Sequence, residues 1–202
     1  MNRTAAIFLL MFSGLLLCRG DRLLAAQKAS VQLALLKIDK SYEKRTVIRK
    51  STIPNAGNGL FAAVKIKKGE VIGELGGRLV TPEAIPKDTH YLAGLPECAW
   101  EKAAPYRYID SKEYGAHVSR INFAPQKING IDTHFQNAAI KQLCQQPYFI
   151  FVALRDIEPG EEIWSSYGPH YDYDRFMRLP AVRDFFCALA KIDCRQKYEF
   201  ES

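Results

Sequence analysis

Three short stretches carry residues able to do chemistry. The first is Glu161-Glu162-Ile163-Trp164-Ser165-Ser166-Tyr167-Gly168-Pro169-His170-Tyr171-Asp172-Tyr173-Asp174, which closes a predicted strand with three tyrosines around a Gly-Pro turn. A phenol offers one donor and two acceptor lone pairs and is uncharged at neutral pH. The plainer reading is a set of surface aromatics trailing off an edge strand. The second stretch is Pro54-Asn55-Ala56-Gly57-Asn58-Gly59-Leu60-Phe61-Ala62. Its Gly-x-Gly turn lets backbone approach a ligand closely. No third glycine and no following helix make it a dinucleotide fingerprint, and no Gly-Lys-Ser/Thr makes it a phosphate loop. The third is Tyr114-Gly115-Ala116-His117-Val118-Ser119-Arg120-Ile121-Asn122-Phe123-Ala124-Pro125, with Gln136-Asn137-Ala138 beyond it. An Asn set in an apolar run is costly to bury unless its amide is fully paired; the alternative is a turn residue ahead of Pro125.

The elements that must position these stretches read as mainly β with short helices. Residues 47–80 alternate short β-branched runs with Gly and Pro, a strand-and-turn pattern. Residues 130–140 and 147–154 are further strand candidates, and 81–115, broken by Pro82, Pro86, Pro96 and Pro105, is the least legible part. Ile66-x-x-Gly69-Glu70-x-Ile72 returns as Ile157-x-x-Gly160-Glu161-x-Ile163, two turns in which Gly supplies a positive φ between strands. Two helices are expected. In 28–40, Val31, Leu35 and Ile38 share one helical face; in 181–191, Val182, Phe185, Phe186 and Leu189 do so after Pro180.

The net charge of +6 lies at the amino end: the first 50 residues hold 10 of the 28 Lys and Arg but only 3 of the 22 Asp and Glu. The remainder, 18 basic against 19 acidic residues, is close to neutral. That is not the charged face of a duplex binder, and no direct nucleic-acid binding is expected from the domain. Met1-Asn2-Arg3 followed by the apolar run Ala5–Cys18 reads as a signal peptide or targeting leader over 1–26, too short to span a bilayer. The expectation is an exported, secreted chain, with organelle import as the alternative and no membrane anchor after processing. Removing Cys18 leaves Cys98, Cys144, Cys187 and Cys194, an even set that permits disulfides in an oxidising compartment. No C-x-x-C pair occurs, so no metal site is expected, and Cys187 and Cys194 are assigned to the core and surface of the terminal helix.

In their order and spacing, Gly57-Asn58-Gly59-Leu60-Phe61-Ala62, the two Gly-Glu turns, Asn122 and Tyr167-Gly168 resemble the SET-domain protein lysine methyltransferases. The resemblance covers about Ile53 to Tyr171 and implies an α+β fold of several small sheets with a knotted C-terminal segment. It divides the chain into the leader, a basic and partly helical lead-in (27–50), a SET domain (51–171) and a C-terminal helical extension (172–202). It implies S-adenosyl-L-methionine as cofactor and a protein lysine as methyl acceptor. Carried over by position, Gly57, Asn58, Gly59 and Leu60 would line the cofactor, and Asn122 and Phe123 would hold its adenine and tail. Tyr167 would stand at methyl transfer, with Trp164, Tyr171 and Tyr173 as walls of the substrate channel.

That chemistry accounts for an uncharged phenol. A lysine of ordinary pKa is neutral in only about one molecule in 2,500 at pH 7, equivalent to about 4.6 kcal/mol. Only the neutral amine can attack, and a dry aromatic channel disfavours the ammonium. The chain departs from the family pattern in reading Asn122-Phe123-Ala124 where Asn-His-Ser is usual. It also places Asn137 fifteen residues after Asn122, an inserted loop, and carries Ser165 and Ser166 where an aromatic and Asp are common. The zinc-binding cysteines that follow many such domains are absent from the sequence. These departures leave a catalytically silent SET-like interaction module as the competing reading.

Overall fold

The computed structural model of the protein describes residues 34–202 except 88–89, 169–170, 196 and 202. The leader and the first part of the predicted 28–40 helix lie outside the described residues. The part that is described, 34–39, is not helical. Instead the Asp39 carboxylate accepts from the Ser41 amide at 2.8 Å and starts a 3₁₀ helix over Lys40–Arg45. This local side-chain bond competes with a helix crossing 39–40 and wins.

Among the described residues, thirteen strands form four small sheets. β1 (Thr46–Lys50), β2 (Asn58–Ala62), β12 (Glu162–Ser165) and β7 (Asn122–Phe123) lie side by side in that order. β1 and β12 run antiparallel to β2, and β7 runs parallel to β12. β10 (Ala138–Gln142), β11 (Phe149–Ala153) and β3 (Val71–Glu74) form a second sheet. β4 (Arg78–Val80), β6 (Tyr108–Asp110) and β5 (Leu92–Gly94) form a third. A fourth joins β8 (Lys127–Ile128) and β9 (Ile131–Asp132), the hairpin inside the inserted loop, to β13 (Phe200–Glu201) near the C-terminus. The described α-helices are short: α1 (Trp100–Ala103), α2 (Asp174–Met177) and α3 (Pro180–Ala190). The expected architecture of several small sheets with few helices is what folds. No described helix is long and apolar enough to cross a membrane.

The internal echo has a structural meaning. Ile66 and Ile157 pair with each other, exchanging amide bonds of 3.0 and 2.8 Å, and Ile66, Ile72, Ile157 and Ile163 are all at most 1% exposed. Each turn repeats one device. Glu70 accepts from the Lys67 amide and from Arg45, and Glu161 accepts from the Glu158 amide and from Arg155. Similar sequence thus places two similar turns back to back under the main core.

Two apolar clusters hold the fold. The larger gathers Leu60, Ile66, Ile72, Ile109, Val118, Ile121 and Ile163 between the first three sheets. The smaller joins Ile53, Phe123 and Ile128 to Tyr173, Met177, Val182 and Phe186 of the C-terminal extension, which is therefore part of the core. Pro180 opens α3 at a position where its missing N–H costs nothing. Lys191 closes α3 in the left-handed region, at φ 58°. Cys187 bonds to Cys194 just past that cap, which replaces the assignment of both cysteines to one helix; the turn at Lys191 brings the two Cα atoms to 6.1 Å. Cys98 and Cys144 form a second disulfide, Cα atoms 5.1 Å apart.

The sequence separations are 46 and 7. Chain entropy assigns about 4 kcal/mol to the wide bridge and about 2 kcal/mol to the narrow one. In thermal unfolding, the C98S/C144S double variant is accordingly expected to melt well below C187S/C194S, and both below the oxidised parent.

Candidate active site

The three chemistry-bearing stretches become neighbouring strands. Leu60 of β2 stands opposite Ile163 of β12, and Trp164 and Ser165 of β12 stand opposite Asn122 and Phe123 of β7. Their junction is a buried carboxylate. Glu162, 5% exposed, accepts from Ser51 Oγ at 2.7 Å, the Thr52 amide at 2.8 Å, Thr52 Oγ1 at 2.5 Å and Asn122 Nδ2 at 3.2 Å. A buried carboxylate is tolerable only when its lone pairs are filled in this way. Gly59 is glycine for the same reason: a Cβ there would lie 2.1 Å from Glu162 Oε1 and 3.1 Å from Asn122 Nδ2. Gly57 differs, with a φ of 71° and open space around the missing Cβ.

Asn122 also donates to the Asn58 carbonyl at 3.1 Å, tying the Gly-x-Gly turn to β7. One residue earlier, the Ile121 carbonyl accepts the Tyr167 hydroxyl at 2.7 Å. Asn58 and Tyr167, more than a hundred positions apart, are therefore held by two consecutive residues. Asn137 does parallel work beneath: 1% exposed, its side chain donates to the Glu162 carbonyl at 2.8 Å and accepts the Trp164 amide at 2.9 Å.

The tyrosines have distinct environments. Tyr167 keeps about 40% of its surface exposed, while its hydroxyl end is enclosed by the Ile121 carbonyl and its tyrosine neighbours. Burial of that end, reinforced by Tyr171, Tyr91 and Tyr173, raises its pKa far above the ordinary phenol value, so it stays protonated. Tyr171 meets Tyr167 edge-on, ring centroids 4.7 Å apart, and its pKa is likewise raised by burial. Tyr173, expected as a channel wall, is only 8% exposed, and its phenol is taken up by the Tyr167-Gly168 backbone. Trp164 packs against Phe135, Phe185 and Phe186, the surroundings of a core residue; its indole N–H is buried without a hydrogen-bond partner. Phe123 packs against Tyr173, ring centroids 4.1 Å apart and tilted by 39°, and is 2% exposed; Leu60 is fully buried. Among the described residues no group of His, Cys, Asp or Glu is placed to hold a metal.

Residues 57–168, more than half of the chain, match the family model of the SET domain. The chain belongs to the SET-domain family. Among curated proteins, the histone-lysine N-methyltransferase EZH2 of Chaetomium thermophilum is 28% identical over 149 residues. That alignment takes in 66% of this chain and 9% of the relative, so this SET domain spans a small part of that protein's length. Among solved structures, an active polycomb repressive complex 2 in the stimulated state superposes with a TM-score of 0.51 and 25% identity, covering 68% of this chain and 16% of that one. ATXR5 in complex with a mono-methylated histone H3.1 superposes with a TM-score of 0.53 and 17% identity, covering 65% and 62%. The last likeness is one of fold.

Sequence reasoning missed Glu162, Ser51, Thr52 and the Ile121 carbonyl as parts of the site. The Glu161-Glu162 pair was visible, but nothing local marked its second member as buried. G59A is expected to displace the Glu162 carboxylate and lower stability by about 3 kcal/mol in urea unfolding. Tyr167 and Tyr171 have raised pKa values, and Tyr198 is pushed up to about 12 by burial. Such groups are protonated in both folded and unfolded chains below the ordinary value of 10.0, and hold their protons longer in the folded chain above it. The melting temperature should therefore be insensitive to these groups up to about pH 9.5 and fall above pH 10, less steeply in Y167F.

Proposed function

We propose that this SET domain is an S-adenosylmethionine-dependent methyltransferase acting on lysine side chains of a protein. The observation that carries the reading is the convergence of the Gly-x-Gly turn and Tyr167 on Ile121 and Asn122, through bonds of 3.1 and 2.7 Å. The curated relative named as a histone-lysine N-methyltransferase supports it.

The residues present fit the cofactor in part through side chains and in part through backbone. Gly57 opens onto free space, Asn58 is exposed beside it, and Asn122 is half-buried between Asn58 and the tyrosine. These three, with the main chain of Phe123, would hold it; the Phe123 ring is committed to Tyr173. When bound, the cofactor supplies an electrophilic methyl group on a sulfonium. Tyr167 spends its only proton on the Ile121 carbonyl, so its oxygen has lone pairs alone to offer an amine. An acceptor of this kind can orient an incoming neutral amine through its N–H. It adds no charge that would favour the ammonium. The raised pKa keeps that state across physiological pH. Tyr171, edge-on to Tyr167, narrows the approach and excludes water, which favours the neutral amine further.

The acceptor class we infer is a lysine in a protein segment, a histone-like tail included, and the near-neutral body tolerates basic sequence beside it. Two disulfides support passage through an oxidising compartment, in keeping with export or organelle import.

Calorimetric titration of S-adenosylmethionine into the chain is expected to show micromolar binding, retained in Y167F. That variant should lose methyl transfer about 100-fold. Absence of cofactor binding at millimolar concentration would favour an interaction module instead.

A further inference from the structure

The Tyr173 phenol is used completely. It donates to the Gly168 carbonyl at 2.9 Å and accepts the Tyr167 amide at 2.9 Å, and Ser166 Oγ lies 3.2 Å away. One hydroxyl proton and two lone pairs account for all three. Ser166 Oγ also accepts the Gly168 amide at 3.2 Å, closing a small network around the turn. The turn needs holding, because Gly168 reverses the chain at a φ of 89° directly after Tyr167. The Tyr173 ring lies 4.1 Å from Phe123 and within 15° of parallel to the Tyr167 ring. Its carbonyl accepts the Phe176 and Met177 amides at 3.1 and 2.8 Å, and Met177 is fully buried, so the residue is anchored in the smaller core.

We propose that Tyr173 is the positioning residue for Tyr167. Tyr167 is held at two points: its hydroxyl by the Ile121 carbonyl and its backbone by the Tyr173 phenol. A side chain fixed at both ends has little freedom to rotate away from the geometry the transfer requires. Tyr173 touches no reacting atom in this assignment. It couples the C-terminal extension, through α2, to the orientation of the tyrosine in the SET domain. This rests on the reading of Tyr167 as the residue at methyl transfer.

The test compares full-length wild type, Y173F, S166A and Y167F. Y173F keeps the ring on Phe123 and removes only the hydroxyl. Three quantities are read: amide hydrogen exchange, calorimetric binding of S-adenosylmethionine, and labelled methyl transfer into the lysines of a cell-extract protein mixture. The expected result for Y173F is loss of protection at the Tyr167 amide with the Leu60 and Ile163 amides unchanged. It should also show an unchanged dissociation constant for the cofactor, and a fall in kcat of about tenfold at constant KM for it. S166A should show the same pattern more weakly. Normal kcat in Y173F, or loss of protection spreading to Leu60 and Ile163, would overturn the positioning role while leaving the transferase reading intact. Full activity in Y167F, or no transfer by the wild type, would instead overturn the transferase reading, and the positioning role with it.

Discussion

The buried carboxylate of Glu162 is the constraint on which the rest of the site depends. It lies where β2, β7 and the Ser51-Thr52 turn meet, and it fills its lone pairs from residues 40 to 111 positions away. Because an unpaired buried carboxylate is so costly, those partners must all be in place together. This cooperation sets the spacing between the Gly-x-Gly turn and Asn122 and forces the absence of a side chain at Gly59. What looks in one dimension like a ligand-binding glycine is, at position 59, first a packing requirement of the protein itself. Gly57, at a φ of 71°, has open space where a Cβ would stand.

The aromatic residues sort themselves by a similar logic. Four of them crowd the end of β12, but each has a different share of water and a different use for its polar atom. Tyr167 turns its hydroxyl to a backbone carbonyl and leaves part of its ring exposed. Tyr173 is buried and serves the turn. Trp164 supports α3 through Phe185 and Phe186. Tyr171 is half-buried and meets Tyr167 edge-on. The C-terminal extension is thus joined to the site by packing. Its last strand also pairs with the hairpin of the inserted loop, where Phe200 stands opposite Ile128. Insert and extension complete one another: β8 pairs with β9 on one side and with β13 on the other.

Much of this protein was determined by its sequence alone. The strand-and-turn character of 47–80, the paired Ile-x-x-Gly-Glu turns, the strand that ends in Tyr167-Gly168 and the helix after Pro180 all follow from local rules. Glycine takes a positive φ wherever it is flanked to do so, β-branched residues favour strands, and apolar spacing selects a helix face. The SET resemblance rests on the same local signals, and for that reason it was legible. The instructive miss is 34–39, the described part of the 28–40 segment. Its apolar spacing is helical, but it is not helical here, and the Asp39 side chain bonds the Ser41 amide to start a separate 3₁₀ helix.

Only the tertiary structure decided the rest. The four cysteines of the described residues permit three pairings, and proximity selected Cys98 with Cys144 and Cys187 with Cys194. Nothing near Glu162 distinguishes it from its neighbour Glu161, yet the first is enclosed and the second meets Arg155 at the surface. Tyr171 and Tyr173, two residues apart and alike in every local respect, end one half-buried and the other buried with its phenol bonded to the Tyr167-Gly168 backbone. Periodicity encodes which face of an element is apolar. It does not encode which distant donor will meet a given carboxylate or phenol, and at this site those meetings fix the geometry.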